Sequence, residues 1–278
     1  MNDRLYENFS DMVVNHNLLN GIDHIVCLFS GGKDATILLQ FLRRYLKEKN
    51  LEVPVNVVMV TYPKHMYFDG DKKRECYIDL LDYWKKQDVI IDIFIPEQED
   101  FADNCDKSCE ICKKTRKSFV DPYLYNVQRS NKNKTIGVMT GYSLYDILAY
   151  YELIGQMTNK IKNMPQDNTV EHKRINGMLH KFKPREELPN NLVMLRPLLN
   201  MREDLIKEYL AENKIPYITK PCKAGSRKFK RIYFKKLDGD FGIENGTYDE
   251  LLSSLKMKGV QLPTTFEEIK DSNYFIDC

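Results

Sequence analysis

Ser30-Gly31-Gly32-Lys33-Asp34-Ala35-Thr36 packs two glycines, two hydroxyls, a lysine and an aspartate into seven residues. An apolar run, His24–Phe29, precedes it, and Ile37, Leu38, Phe41, Leu42, Tyr45 and Leu46 follow at helical spacing. A strand, a tight glycine turn and a helix start make an anion site. Glycines let the backbone approach phosphate, and free N–H groups at the helix start point at it. Lys33 adds a mobile positive charge; Ser30 and Thr36 add hydroxyls. A bare carboxylate would repel phosphate, so Asp34 makes sense as the holder of a magnesium ion on a pyrophosphate. The loop lacks the Gly-x-x-x-x-Gly-Lys-Ser/Thr spacing of the Walker A motif. An ordinary turn before a helix is the blander reading, and the full strand–heptapeptide–helix combination disfavours it.

Cys109-Glu-Ile-Cys112 is the second constellation, followed by Lys113-Lys114-Thr115-Arg116-Lys117, with Cys222 far downstream in Pro221-Cys222-Lys223. A Cys-x-x-Cys pair alone suits zinc, an iron–sulfur cluster or redox chemistry. Cys105 is a candidate fourth zinc ligand. A thiolate beside Lys113, Lys114 and Arg116 would have a low pKa and suit a persulfide carrier. Cys27 lies in an apolar run and reads as core; Cys76, on a helix, and the terminal Cys278 read as structural. His16, His65, His172 and His180 show no metal spacing and are expected at the surface.

A chain of 278 residues suits one large α/β domain, or one with an appendage. The formal charge of +2 neither demands nor excludes a nucleic-acid partner. No signal-peptide core opens the sequence, and no apolar run approaches the ~20 residues of a membrane span. The expectation is a cytoplasmic protein with reduced thiols, whose cysteines serve metal or catalysis before disulfides.

These residues need elements to position them. Residues 3–19 read as an amphipathic helix through Leu5, Phe9, Met12 and Val13, ending near Leu18 and Leu19. Further β-rich runs are Val55–Thr61, Val89–Ile95, Thr135–Thr140 and Leu192–Leu195, with helix-length segments at Arg74–Lys86, Ser143–Met157 and Arg202–Asn213. The alternation predicts an α/β fold, a five-stranded parallel sheet with helices on both faces, its ligand beyond the carboxyl ends of the strands. Residues 158–191, with Pro165, Pro184 and Pro189, break the rhythm and read as a polar insertion, either a lid or a solvated connection. The expected organisation is an N-terminal helix over 1–20, a nucleotide-binding domain over 21–237 and an appendage over 238–278, with a helix at Tyr248–Met257.

The heptapeptide resembles the pyrophosphatase loop, Ser-Gly-Gly-x-Asp-Ser/Thr, of the ATP-dependent PP-loop enzymes. The resemblance implies that ATP is cut between its α and β phosphates, with a carbonyl oxygen adenylated and pyrophosphate released. Over residues 5–236 the chain most resembles the tRNA 2-thiocytidine sulfurtransferase family, PP-loop enzymes with a four-iron cluster. His24–Asp34 is similar to that family's first strand and loop, and Ser108–Lys117 to its cluster segment. Arg196-Pro197-Leu198, Ile215-Pro216-Tyr217 and Pro221-Cys222 are similar to its late Arg-Pro-Leu, Pro and Cys run. Gly141-Tyr142-Ser143-Leu144-Tyr145-Asp146 occupies the place of its Gly-His-x-x-Asp-Asp motif, with tyrosines in place of the histidine and the first aspartate. Ala224-Gly225-Ser226 stands where the family usually has a fourth cysteine.

The resemblance implies ATP, magnesium and a 4Fe-4S cluster on Cys109, Cys112 and Cys222 as cofactors, with one iron left open to sulfide. Sulfur would then displace the adenylated oxygen. ATP is expected on residues 30–36, Val60 (against adenine), Gly141 (close approach to the nucleotide) and Asp146. Arg116, Tyr142 and Tyr145 are expected at the acceptor. Asp146 reads equally as a helix cap, and Arg116 equally as a solvated residue. The basic, aromatic-interleaved run Arg227–Lys236 suits RNA, though such runs are usually solvated helices. The expected acceptor is a tRNA base. A small metabolite or peptide amide is the alternative, and a cluster-free PP-loop ligase or an iron–sulfur sensor the more distant ones. The sulfur donor would be a cysteine desulfurase or free sulfide, and a homodimer is left open.

Overall fold

β1 (His24–Leu28) is buried along its whole length, as a strand covered on both faces must be. Ile25, Cys27 and Phe29 enter one hydrophobic cluster while Val26 and Leu28 enter another, the alternation of a pleated strand. The computed structural model describes residues 2–101, 105, 107–161, 169–223, 248–257, 259 and 262. Around β1 the described chain runs α1 (Asn2–Asn15), α2 (Lys33–Glu48), β2 (Val55–Val60), a small hairpin of β3 (Phe68–Asp69) and β4 (Lys72–Lys73), α3 (Glu75–Lys86) and β5 (Ile91–Phe94). It continues through α4 (Ser108–Ser130), β6 (Ile136–Met139), α5 (Leu144–Ile161), α6 (Thr169–Leu179), β7 (Arg185–Leu188), β8 (Leu192–Leu195), α7 (Glu203–Glu212) and α8 (Tyr248–Met257).

The main sheet has the order β5-β2-β1-β6-β8-β7. β1 pairs in parallel with β2 and β6, β2 with β5, and β6 with β8. The chain first builds outward from β1 to β2 and β5, then returns to place β6 on the other side of β1. The direction of winding therefore reverses between β1 and β6, and ligands of open α/β sheets bind at such a reversal. The loops after β1 and β6, carrying Ser30–Thr36 and Gly141–Asp146, share that point.

The five expected parallel strands are present, and a sixth, β7, pairs antiparallel with β8. It comes from the stretch expected to be a lid or a solvated connection. Among the described residues that stretch instead carries part of α5, α6, a 3-10 turn at His180–Phe182, and β7, with Met178, Leu179 and Phe182 buried. An edge strand needs no apolar run, and charges on it discourage unwanted pairing, which is why Arg185-Glu186-Glu187 did not read as sheet. Arg185 Nη1 donates to the carbonyls of Asn17, Leu18 and Asn20 at 2.8, 3.1 and 2.7 Å, tying this edge to the chain just beyond α1.

His180, expected at the surface, is buried. Its imidazole and the Arg196 guanidinium both close on the buried Glu186 carboxylate, the pairing that a charge withdrawn from water requires. The N-terminal helix is integral to the core, with Tyr6 and Phe9 packed edge-on against Phe41. α8 buries Tyr248, Leu251 and Leu255, and the Tyr248 hydroxyl donates to the Phe182 carbonyl. α4, which the sequence did not announce, lays Val120 and Leu124 over Val26, Leu28, Val58 and Val60. Among the described residues no helix is long and apolar enough to cross a membrane.

Candidate active site

The glycine loop is shaped as much by packing as by any ligand. Gly31 has φ +69°, and a Cβ there would lie 2.6 Å from Leu80 Cδ2 and 3.1 Å from Met59 Cε. Gly32 caps α2 in extended backbone without any side-chain hydrogen bond to the helix start, so the first-turn N–H groups keep the anion-binding disposition of an uncapped helix. The hydroxyls turn inward. Ser30 Oγ accepts the Gly32 N–H at 3.4 Å, and the buried Thr36 Oγ1 donates to the Gly31 carbonyl at 3.5 Å. Ala35 is buried in the core.

Gly141 permits a close approach, but to protein. A Cβ there would sit 3.0 Å from both Ala35 N and Asp34 C. The winding reversal brings the turn after β6 against the first turn of α2, and glycine lets two backbones touch. Asp146 caps α5: its Oδ2 accepts the Ser143 N–H at 3.0 Å and the Ser143 hydroxyl at 3.3 Å, the carboxylate half of a capping box. It also lies close enough to act electrostatically on Lys33 and Asp34.

Lys33 Nζ stands 2.5 Å from Asp34 Oδ2 and 3.7 Å from Glu203 Oε2 at the start of α7. Burial opposes the ammonium charge, but Asp34 and Glu203 overcome it and raise the Lys33 pKa. Burial, reinforced by Asp146 and Glu203, outweighs Lys33 and lifts the Asp34 carboxyl to about 6. For Glu203, burial is outweighed by Lys33 and Lys207, and its pKa falls. With all these groups ionised, Lys33 and Lys207 face the carboxylates of Asp34, Asp146 and Glu203, which leaves a net charge of −1 beside an anion-binding helix start. Asp34 Oδ1 is buried with no hydrogen-bond partner among the described residues. Glu203 was not anticipated, because an acid in a first helical turn reads as a dipole partner.

Cys109 lies in the first turn of α4 and Cys112 at the start of the second. Cys112 Sγ donates to the Tyr62 carbonyl at 3.9 Å, and Arg116 Nε donates to the same oxygen at 2.8 Å. Arg116 therefore fixes main chain at the end of β2. Burial raises the Cys112 pKa against the pull of Arg116, with Cys222, Cys109 and Asp100 raising it further. Cys222 and Cys109 are thus close enough to Cys112 to affect its ionisation. The expected activation by neighbouring cations does not prevail. Lys114 pairs with Glu110 at 2.7 Å, and burial lowers the Lys113 pKa to about 8.

The remaining expected residues fall differently. Val60 is buried in the cluster under α4. Tyr142 is buried, and its hydroxyl accepts from the buried Lys181 Nζ at 2.9 Å, as does that of Tyr150. It anchors the α6–β7 segment to α5, where an acceptor contact had been expected. Tyr145 is half-buried in the first turn of α5. His65, expected at the surface, contacts Asp100 at 2.7 Å and has a side chain 10% exposed. The Arg227–Lys236 run, Ala224–Ser226, His172 side-chain contacts and Cys278 lie outside what is described.

Among the described residues no three His, Cys, Asp or Glu side chains converge tightly enough to hold a metal ion. A four-iron cluster spreads its thiolates over the corners of a cube, and the all-cysteine donor set suits it. Magnesium usually takes one or two carboxylates with waters and substrate phosphates, so the unpartnered Asp34 oxygen suits it without a protein cage.

Sheet order, winding reversal and glycine loop together define an α/β architecture similar to the PP-loop fold, as the sequence resemblance implied. No family model matches the chain. It is similar to tRNA-cytidine(32) 2-sulfurtransferase 2 of Francisella tularensis subsp. tularensis (strain FSC 198), 23% identical over 241 residues, covering 84% of this chain and 82% of that one. The protein of the same name from subsp. novicida (strain U112) is 22% identical, with 84% and 81% covered. Among solved structures it is similar to the U34-tRNA thiolase NcsA from Methanococcus maripaludis with its 4Fe-4S cluster. The TM-score is 0.59 at 16% identity, over 91% of this chain and 77% of that one.

Proposed function

We propose that the chain is an ATP-dependent tRNA sulfurtransferase that adenylates a base carbonyl and replaces its oxygen with sulfur. One observation carries the reading: the glycine loop and the cysteines are tied together by the same two connections. The Tyr62–Tyr67 connection meets Cys112 and Arg116 through the Tyr62 carbonyl, and its Tyr67 hydroxyl donates to the Ser30 carbonyl at 3.0 Å. The segment leading to Cys222 donates the Ile218 N–H to the Gly31 carbonyl at 2.7 Å. A phosphate site and a thiol site in such contact suit a reaction that uses ATP and sulfur on one acceptor. The tRNA sulfurtransferases and the thiolase similar to this chain favour a tRNA base as that acceptor.

In this reading the first-turn N–H groups of α2 bind the ATP phosphates. Asp34 would hold magnesium, which would supply positive charge to offset the carboxylates and the departing pyrophosphate. The acceptor oxygen attacks the α-phosphorus, and the bond to pyrophosphate breaks. The carbon then bears a good leaving group. A sulfur nucleophile adds to it, loses its proton, and AMP departs with the original oxygen. A cluster held by Cys109, Cys112 and Cys222 would supply sulfur at the sulfide level.

The test is pyrophosphate release with ATP and bulk tRNA. Release that depends on tRNA is expected, and Cys222→Ala should abolish thiolation while ATP still binds. Release unaffected by any tRNA would contradict the reading.

A further inference from the structure

Asp100 and His65 are absent from the chemistry above, yet they stand among the cysteines. The Asp100 carboxylate accepts the Lys64 N–H at 2.5 Å and the His65 N–H at 2.7 Å, and meets His65 Nδ1 at 2.7 Å. An ionised carboxylate only accepts, so Nδ1 must carry a proton. Nε2 of the neutral ring is then an acceptor, and the Lys223 N–H lies 3.1 Å from it. The ring is steadied by Phe101, edge-on with centroids 5.8 Å apart, and the His65 carbonyl accepts from Arg74 Nε at 3.0 Å.

Lys223 follows Cys222 directly. Three residues before His65, the Tyr62 carbonyl binds Cys112 and Arg116 of α4. Residues 62–65 therefore grip the cysteine helix at one end and the Cys222 segment at the other. Cys222 reaches the site across more than a hundred residues of intervening chain, and a local constraint is what holds it in register.

We propose that His65, oriented by Asp100, is a positioning residue that docks the Cys222 segment against Cys109 and Cys112, so that the three thiols are gathered in advance. This rests on the reading of the three cysteines as one functional set. It is separable from tRNA thiolation, because it concerns where the thiols sit.

The test uses the full chain, reduced and treated with chelator, and a short thiol-bridging reagent such as dibromobimane. Bridging of Cys222 to Cys109 or Cys112 is mapped by peptide mass spectrometry. His65→Ala should slow this bridging roughly fivefold, the effect of losing one hydrogen bond of ordinary net strength on a local equilibrium. His65→Gln, whose amide can accept from Lys223 and donate to Asp100, should restore it. His65→Asn has the same amide one carbon shorter and should not, which separates reach from general loss of folding. Asp100→Asn should slow bridging as His65→Ala does. Bridging at the wild-type rate in His65→Ala, or equal rates in the Gln and Asn variants, would overturn the assignment. Normal bridging in a wild-type protein that fails to thiolate any tRNA would instead leave the clamp standing and remove the proposed function.

Discussion

Replacing Asp34 with Asn should stabilise the protein while abolishing its use of nucleotide. Folding lifts this carboxyl from 3.8 to about 6, chiefly by burial, with Asp146 and Glu203 adding to it and Lys33 opposing. An acid raised in this way favours the fold while protonated, fully so below 3.8, and loses that contribution as pH rises through 6. That difference corresponds to about 3 kcal/mol, net of the Lys33 attraction. Above pH 7 the wild type should carry that penalty and Asp34→Asn should not. For a chain of this size that is roughly 6–10 °C in melting temperature. Thermal melts of both proteins from pH 4.5 to 8 would show the variant ahead at neutral pH and the gap closing toward acid. Adding magnesium and ATP should reverse the order, since ligand at about 1,000 times Kd stabilises the wild type by ~4.1 kcal/mol and leaves the variant unmoved. A variant that melts below the wild type at pH 7.5 without ligand, or a gap that widens toward acid pH, would refute the reasoning.

Two further substitutions separate architecture from ligand contact. Gly141→Ala drives a Cβ into backbone that cannot yield, 3.0 Å from Ala35 N and Asp34 C, so it should cost about 1–3 kcal/mol in denaturant unfolding and weaken ATP binding by shifting the start of α2. Tyr142→Phe removes a hydroxyl held by Lys181 at 2.9 Å and should cost about 1–3 kcal/mol of stability through one lost hydrogen bond to a buried ammonium that keeps Tyr150 as a partner, with KM for ATP and tRNA unchanged; a raised tRNA KM would return Tyr142 to the acceptor site.

What was legible in the sequence follows from physics. Strands buried on both faces, such as His24–Leu28, read as apolar runs, and a glycine turn between such a run and a helix has few other uses. The two cysteine segments stood out because thiols are scarce. α4 was missed because it covers the sheet with few apolar residues, Val120 and Leu124 among them, and carries Pro122 inside a 23-residue helix. β7 was missed because an edge strand need not alternate apolar residues. Gly141 was tied to the nucleotide because a sequence does not say which partner a glycine admits. His65 and Asp100 are 35 positions apart in polar stretches, with no spacing to link them, and Glu203 meets Lys33 only through the packing of α7 on α2.

The central claim is that this site puts sulfur on a tRNA base. The most direct test is mass spectrometry of nucleosides from total tRNA of cells with and without the gene. Loss of one thiolated nucleoside, restored by the wild-type gene and not by Cys222→Ala, is the predicted result. An unchanged set of thiolated nucleosides would contradict it.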